Sequence, residues 1–163
     1  MVDPTDALTS FQEAYTSGLI HLKRCDVHKE AFMLLDEPAP NKKRFSYVLI
    51  DNGEVIAFSN LSPADPLNGK FVFQIGYAVP LEHRNKGLGR QIAKIAIDEI
   101  DFGFRRAKTP MFYVEASVLD TNLESQRVAQ SVFGDSKQSG KDETTGETLK
   151  LYRVLLGRKP FEA

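Results

Sequence analysis

The stretch from residue 71 to residue 119 constrains the fold of this chain most. Phe71, Phe73, Ile75, Tyr77 and Val79 alternate with Val72, Gln74, Gly76 and Ala78. A strand so apolar on both faces belongs in the middle of a sheet covered on either side. The period then changes from two to 3.6. Leu88, Ile92, Ile95, Ala96, Ile100 and Phe104 fall on one helical stripe, with Arg90, Lys94, Asp98, Asp101 and Arg105 opposite. The spacing predicts a helix over 87–104 and a further strand over 111–119. Strand, long helix and strand in succession form a crossover that makes the two strands parallel neighbours.

The rest of the chain adds elements around this unit. Residues 5–16 read as a helix with Leu8, Phe11 and Tyr15 inward, capped by Thr5 or Asp6. Residues 19–23 alternate weakly and are a candidate first strand. Asp26 is a candidate cap for a helix over 26–35 with Ala31, Phe32 and Leu35 inward, ended by Pro38 and Pro40. Residues 41–44 then form a polar loop. Strands over 45–50 and 55–59 flank Asn52-Gly53, a strong hairpin signal because both residues accept positive φ. Residues 62–70, with Pro63, Pro66 and Gly69, read as a loop. Thr121 or Asn122 opens a short helix ending near Phe133-Gly134, and strands near 136–139 and over 148–156 close the chain. The expected fold class is α/β (α+β): one mixed sheet with a central parallel β-α-β unit and helices on both faces.

Composition narrows the function classes. A chain of 163 residues has the length of one domain and needs no disulfide or metal to bury a core. We therefore read residues 1–163 as a single domain. The net charge of −1 gives no global field for nucleic acid or an anionic membrane. Cys25 is the only cysteine, so no internal disulfide forms, and the expected compartment is the reducing cytoplasm. The first six residues lack the basic start and apolar core of a signal peptide. No apolar run approaches the roughly 20 residues of a membrane span. His21, His28 and His83 show no ligand spacing, so no metal is expected.

The chemistry concentrates in Arg84-Asn85-Lys86-Gly87-Leu88-Gly89, between the central strand and the long helix. A helix N-terminus offers unpaired N–H groups and about half a positive charge, and anions bind there. Gly87 and Gly89 remove Cβ atoms, so a diphosphate can approach the backbone, while Arg84, Lys86 and Arg90 add charge. The plain alternative is a glycine-rich cap with a solvated basic face. Two glycines in a first turn are costly, however, unless close approach matters. The nucleotide loops fit poorly. The G-x-x-x-x-G-K-[ST] pattern is absent, and Gly87-Leu88-Gly89-Arg90-Gln91-Ile92 lacks the third glycine of G-x-G-x-x-G.

Here the sequence resembles the GNAT superfamily of N-acetyltransferases. The family's [RQ]-x-x-G-x-[GA] loop is matched by residues 84–89 after Ile75-Gly76-Tyr77-Ala78-Val79-Pro80. A second block, Asn122, Ser125 and Val128 followed by Phe133-Gly134, looks most like the ribosomal-protein N-terminal acetyltransferase (RimJ/RimL-like) branch, with the usual Gly-Phe order reversed. The resemblance implies a mostly antiparallel twisted sheet around the parallel pair and acetyl-CoA as co-substrate. It also implies transfer of an acetyl group to a primary amine, of a small molecule or a protein N-terminus, by direct attack in a ternary complex. It assigns Arg84, Asn85, Lys86, Gly87, Leu88, Gly89 and Arg90 to the pyrophosphate. Tyr77, Ala78 and Val79 fall to the pantetheine arm, and Asn122 and Ser125 to its other side near the thioester.

The sequence departs from the family at two places. The strand position that often carries a Glu base is Gln74, and the position of the usual Tyr acid is Ala129. Ser125, Glu115 and Gln74 are the candidate catalytic residues in their stead, with Tyr77 and His83 as further candidates. A non-catalytic acyl-CoA sensor or assembly module of the same fold therefore stays open. A variant acting on aminoacyl-tRNA needs a basic groove, which the charge does not favour. The apolar residues Leu149, Leu151 and Leu155 leave a homodimer open as well.

Overall fold

The computed structural model describes residues 4–157. Residues 1–3, used in the signal-peptide reading, and 158–163 lie outside the described residues. The chain forms helix α1 (Pro4–Thr16), the two-residue strand β1 (Lys23–Arg24) and strands β2 (Phe32–Ala39), β3 (Lys42–Asp51), β4 (Glu54–Leu67) and β5 (Lys70–Ala78). A single 3-10 turn (Leu81–His83) leads to helix α2 (Leu88–Arg106). Strand β6 (Phe112–Leu119), helix α3 (Leu123–Phe133) and strands β7 (Gln138–Lys141) and β8 (Thr148–Leu156) follow. The eight strands make one sheet in the order β1-β2-β3-β4-β5-β6-β8-β7. Every neighbouring pair is antiparallel except β5 and β6. Helix α1 packs on β4 and β5 from one side, while α2 and α3 cover the other. The mixed sheet, central parallel unit and helices on both faces expected from the sequence are all present.

Several expectations fail in the first half, among them the polar loop over 41–44, where β3 already begins at Lys42 because Ala39 and Asp36 pair with Lys42 and Arg44. The helix expected over 26–35 is instead a turn followed by β2, which pairs with β3 from Phe32 opposite Val48 to Asp36 opposite Arg44. Ala31, Phe32 and Leu35 have helical spacing, but a long neighbouring strand supplies ladder hydrogen bonds that local propensity cannot outweigh. Leu35, expected inward, is 48% exposed. The candidate strand over 19–23 shrinks to Lys23–Arg24. The loop expected over 62–70 is also strand. β4 runs on to Leu67 and turns into β5 through Asn68-Gly69, with φ of 53° and 73°. Pro63 and Pro66 fit because β3 stops pairing with β4 at Leu61. Past that point β4 is an edge on one side, where a missing N–H costs nothing. Thr5 and Asp6 lie within the first turn of α1, since the helix already includes Pro4.

The parallel pair determines where a site can form. β5 and β6 are in register only at Val72, Phe73 and Gln74 opposite Tyr113, Val114 and Glu115. Beyond Gln74 the ladder ends, while β5 stays paired with β4 as far as Ala78 and β6 with β8 as far as Leu119. Both strands are held from outside, so the sheet opens between them. The closed end is clamped on the α2 side by an aromatic cluster. Phe73 lies 5.6 Å from Phe104 and 6.0 Å from Phe112, and Phe104 lies 4.7 Å from Phe112. Such ring pairs add about 0.5–1.5 kcal/mol each beyond their burial. Ile92, Ile95, Ala96 and Ile100 of α2 bury their side chains beside it. A smaller core of Leu8, Phe11, Val48, Val55 and Phe58 holds α1 to the opposite face.

Candidate active site

The opening between β5 and β6 is a crevice of about 550 Å³. Its walls are Tyr77, Ala78 and Val79 from β5 and the residue after it, and Ser117, Val118 and Leu119 from β6. Asn122, Ser125 and Val128 of the α3 region close one side. His83, Arg84, Asn85, Gly87, Leu88, Gly89 and Arg90 form the mouth. A second hollow of about 420 Å³ lies on the other side of α3, lined by Gln126, Arg127, Asp135, Lys150 and Tyr152 among others. It has no glycine loop, whereas the crevice opens at one, so the crevice is the site with directed chemistry.

The mouth has the geometry of an anion seat. Asn85 and Gly87 both take left-handed backbone conformations, with φ of 63° and 76°. Gly87 is the N-cap of α2, and no side chain caps the helix there. No acidic residue sits in the first turn either. The positive end of a 19-residue helix therefore faces the mouth without an internal counter-charge. A Cβ on Gly89 would lie 3.7 Å from Val128 Cγ2 and 3.9 Å from Val79 Cγ2, in the narrow part of the crevice. The stem of the loop is fixed by Arg84, whose Nε donates to the Val79 carbonyl at 3.0 Å. His83 is tied to the β3–β4 hairpin through Glu54, at 2.9 Å from Nε2 to Oε1. Glu82 joins them in a group whose ligand-type atoms lie within 4.8 Å of one another. The close His83–Glu54 pair accounts for this group as a tether for the loop.

At the inner end a hydrogen-bonded pair crosses the crevice. The Tyr77 hydroxyl donates to the Ser125 carbonyl at 2.9 Å, and the Ser125 hydroxyl lies 2.9 Å from the same phenol oxygen. Burial raises the Tyr77 phenol above its ordinary value, the Ser125 bond opposes that rise, and Tyr152 adds to it. Ser125 is set in place by Asn122, whose side-chain oxygen accepts the Ser125 N–H at 3.0 Å as the N-cap of α3.

Of the residues expected at the cofactor, Tyr77, Ala78, Val79, Arg84, Asn85, Gly87, Leu88, Gly89, Arg90, Asn122 and Ser125 all line the crevice. Lys86 is exposed in the same loop and is not among the lining residues. The catalytic candidates divide. Ser125 faces the crevice. Gln74 and Glu115 form the last register pair before the strands part and do not line it. Gln74 Nε2 donates to Glu115 at 3.3 Å, and Arg153 Nε donates to the other Glu115 oxygen at 2.8 Å. Because the Gln74 amide nitrogen faces a carboxylate, its Oε1 is the free atom, and it is buried without a partner. The sequence reading missed Arg153, because the β6–β8 register that brings it to Glu115 has no local signal. It also left out Val118, Glu124 and Val128, which line the crevice as well. Pro4 and Thr5 at the start of α1 complete the lining.

A mixed sheet opened at its single parallel pair, with an uncapped helix N-terminus at the mouth, is an α/β architecture whose crevice offers a seat for an anion. The chain belongs to the acetyltransferase (GNAT) family, whose model matches residues 8–134. Solved structures agree in fold. A protein from Salmonella typhimurium solved with acetyl-CoA shares 21% identity over 72% of this chain and 67% of that chain, with a TM-score of 0.56. A ribosomal-protein-alanine N-acetyltransferase from Brucella melitensis shares 17% over 95% and 80%, with a TM-score of 0.55. A spermidine N-acetyltransferase from Vibrio cholerae, in complex with CoA and spermine, shares 15% over 72% and 67%, with a TM-score of 0.54. Comparison with curated protein sequences finds no match. No helix among the described residues is long and apolar enough to cross a membrane.

Proposed function

We propose that this chain moves an acetyl group from acetyl-CoA to a primary amine, of a small molecule or a protein N-terminus, by direct attack in a ternary complex. The observation that carries this reading is the crevice itself, which runs from an uncapped helix N-terminus between two parting strands. Diphosphate oxygens would lie against the N–H groups of residues 87–90, with Arg84 and Arg90 beside them. The pantetheine arm would lie between Val79 and Leu119 and bring the thioester toward Tyr77, Ser117 and Ser125. The amine would then approach from the α1 face, where the Gln74 carbonyl is an unused acceptor at the vertex of the opening. This reading takes residues 1–163 as a single domain working in the cytoplasm.

The acceptor class follows from proton chemistry. Attack requires a neutral amine. An α-amine, with a pKa of about 8, is partly neutral at pH 7, whereas a lysine amine at about 10.4 needs a base. Gln74 is no base, and Glu115 is held by Arg153 at 2.8 Å. Weak base machinery favours α-amines, whether of a small molecule or of a protein N-terminus. CoA release measured over α-amino peptides, small-molecule α-amines and N-terminally blocked lysine peptides checks this, with release expected from the first two. Preference for the blocked lysine peptides would overturn the acceptor class. Gln74 and Ala129 favour a second reading, an acyl-CoA-binding module without transfer. Tight acetyl-CoA binding with no CoA release from any amine would establish it in place of the first.

A further inference from the structure

We infer that Tyr77 is the proton donor to the departing CoA sulfur and that Ser125 is the positioning residue that holds and recharges it. This rests on the acetyl-transfer reading above.

Collapse of the attacked thioester breaks a C–S bond and leaves a thiolate that needs a proton. Guanidinium groups at the mouth do not release one. Aliphatic hydroxyl and carboxamide groups, including those of Ser117 and Asn122, are far weaker acids than a phenol. His83 lies at the loop and is engaged by Glu54. Glu124 is exposed on the first turn of α3. Ala129, on the next turn, offers a methyl group and is fully buried. The remaining proton source in the lining is the Tyr77 phenol. It sits at the inner end, away from the anion seat, where an arm anchored at residues 87–90 delivers its far end. Each residue of an extended strand advances about 3.3 Å. The two steps from Val79 back to Tyr77 therefore carry the phenol deeper along the path the arm follows.

Ser125 completes the device. With the phenol proton directed at the Ser125 carbonyl, the Ser125 hydroxyl is left to donate to the phenol oxygen. The step then balances. The amine nitrogen forms a bond to the carbonyl carbon, the C–S bond breaks with its electron pair on sulfur, and the Tyr77 hydroxyl turns from the Ser125 carbonyl and passes its proton to sulfur to give the free thiol. The Ser125 hydroxyl stabilises the phenolate, which regains a proton from solvent through the half-exposed serine. The proton shed by the new amide nitrogen leaves to water, so the balance is one proton moved from amine to thiol.

The test is Tyr77→Phe in the full chain, assayed with whichever amine releases CoA. The expected result is a kcat lower by about 10²-fold or more, as for loss of a placed acid. The dissociation constant for acetyl-CoA should change less than about threefold, and the solvent deuterium isotope effect on kcat should be lost. Ser125→Ala should give a smaller fall in kcat with acetyl-CoA binding retained. If Tyr77→Phe does not fold, fluorotyrosine at position 77 keeps the shape and lowers the phenol pKa. The alkaline limb of the kcat profile must then move to lower pH. An unchanged kcat, or an unmoved limb, overturns the assignment while leaving acetyl transfer intact. An unaltered chain that binds acetyl-CoA but acetylates no amine overturns both.

Discussion

At the scale of single residues, surroundings decide what a side chain can do. Cys25 is 1% exposed, and burial first, then the negative charges of Glu99, Asp26 and Glu30, push its thiol up to about 12 from 9.0. The folded state therefore favours the neutral thiol. This contribution to stability is complete below about pH 9 and is lost as pH rises from there toward 12, because the unfolded chain ionises first. Two results follow. A thiol reagent at pH 8 should react only as fast as the protein opens, and Cys25→Ala should flatten the alkaline fall of stability in urea titrations. Rapid labelling of the folded protein, or an unchanged alkaline slope in the variant, would contradict the placement. The loop residues show the same dependence with a different readability. The placing of Gly87 and Gly89 at the start of α2 is visible in sequence, because glycine there is uncommon without a reason. The occupation of Arg84 by the Val79 carbonyl is not visible, since it depends on how the loop folds back.

Among elements, α2 both presents the anion seat and anchors the first half of the chain. Its Glu99, only 6% exposed, accepts four hydrogen bonds from the backbone N–H groups of Asp26, Val27 and His28, at 2.8–3.1 Å. These bonds organise the turn that sends the chain into β2. Replacing one oxygen by an amide nitrogen sets donor against donor. Glu99→Gln should cost about 2–3 kcal/mol in urea unfolding, with acetyl-CoA affinity nearly unchanged because the contact lies far along α2 from Gly87. A loss below about 0.5 kcal/mol would show that the turn does not depend on this carboxylate. The same region is where sequence reading failed. Ala31, Phe32 and Leu35 satisfy a helical spacing, and no local residue reveals that β3 will pair there. The second Asn-Gly turn, Asn68-Gly69, was masked by Pro63 and Pro66. These are tolerated because β4 has already lost β3 as a partner, a non-local fact. The β-α-β unit was legible because it is long, strongly periodic and punctuated by the glycine loop.

For the whole molecule, one topological choice creates the site. Of the seven strand pairings among the described residues, six are antiparallel, and the one parallel pairing is the one that parts. β4 and β8 hold the separating strands from outside, and the aromatic cluster of Phe73, Phe104 and Phe112 locks the other end. The crevice and its glycine loop were therefore readable from residues 71–90. The line of Gln74, Glu115 and Arg153 across three strands was not, because it depends on their register. The central claim is that the crevice at Gly89 holds the acyl-CoA. Its most direct measurement is calorimetric titration of acetyl-CoA into the full chain and into Gly89→Leu, with Gly89→Ala as the folding control. The alanine methyl meets only ordinary contacts at 3.7 and 3.9 Å, so that variant should fold. The expected result is one site per chain in the unaltered protein and a loss of at least about tenfold in affinity, some 1.4 kcal/mol, in the folded leucine variant. No binding to the unaltered chain, or equal binding by Gly89→Leu, would contradict the account.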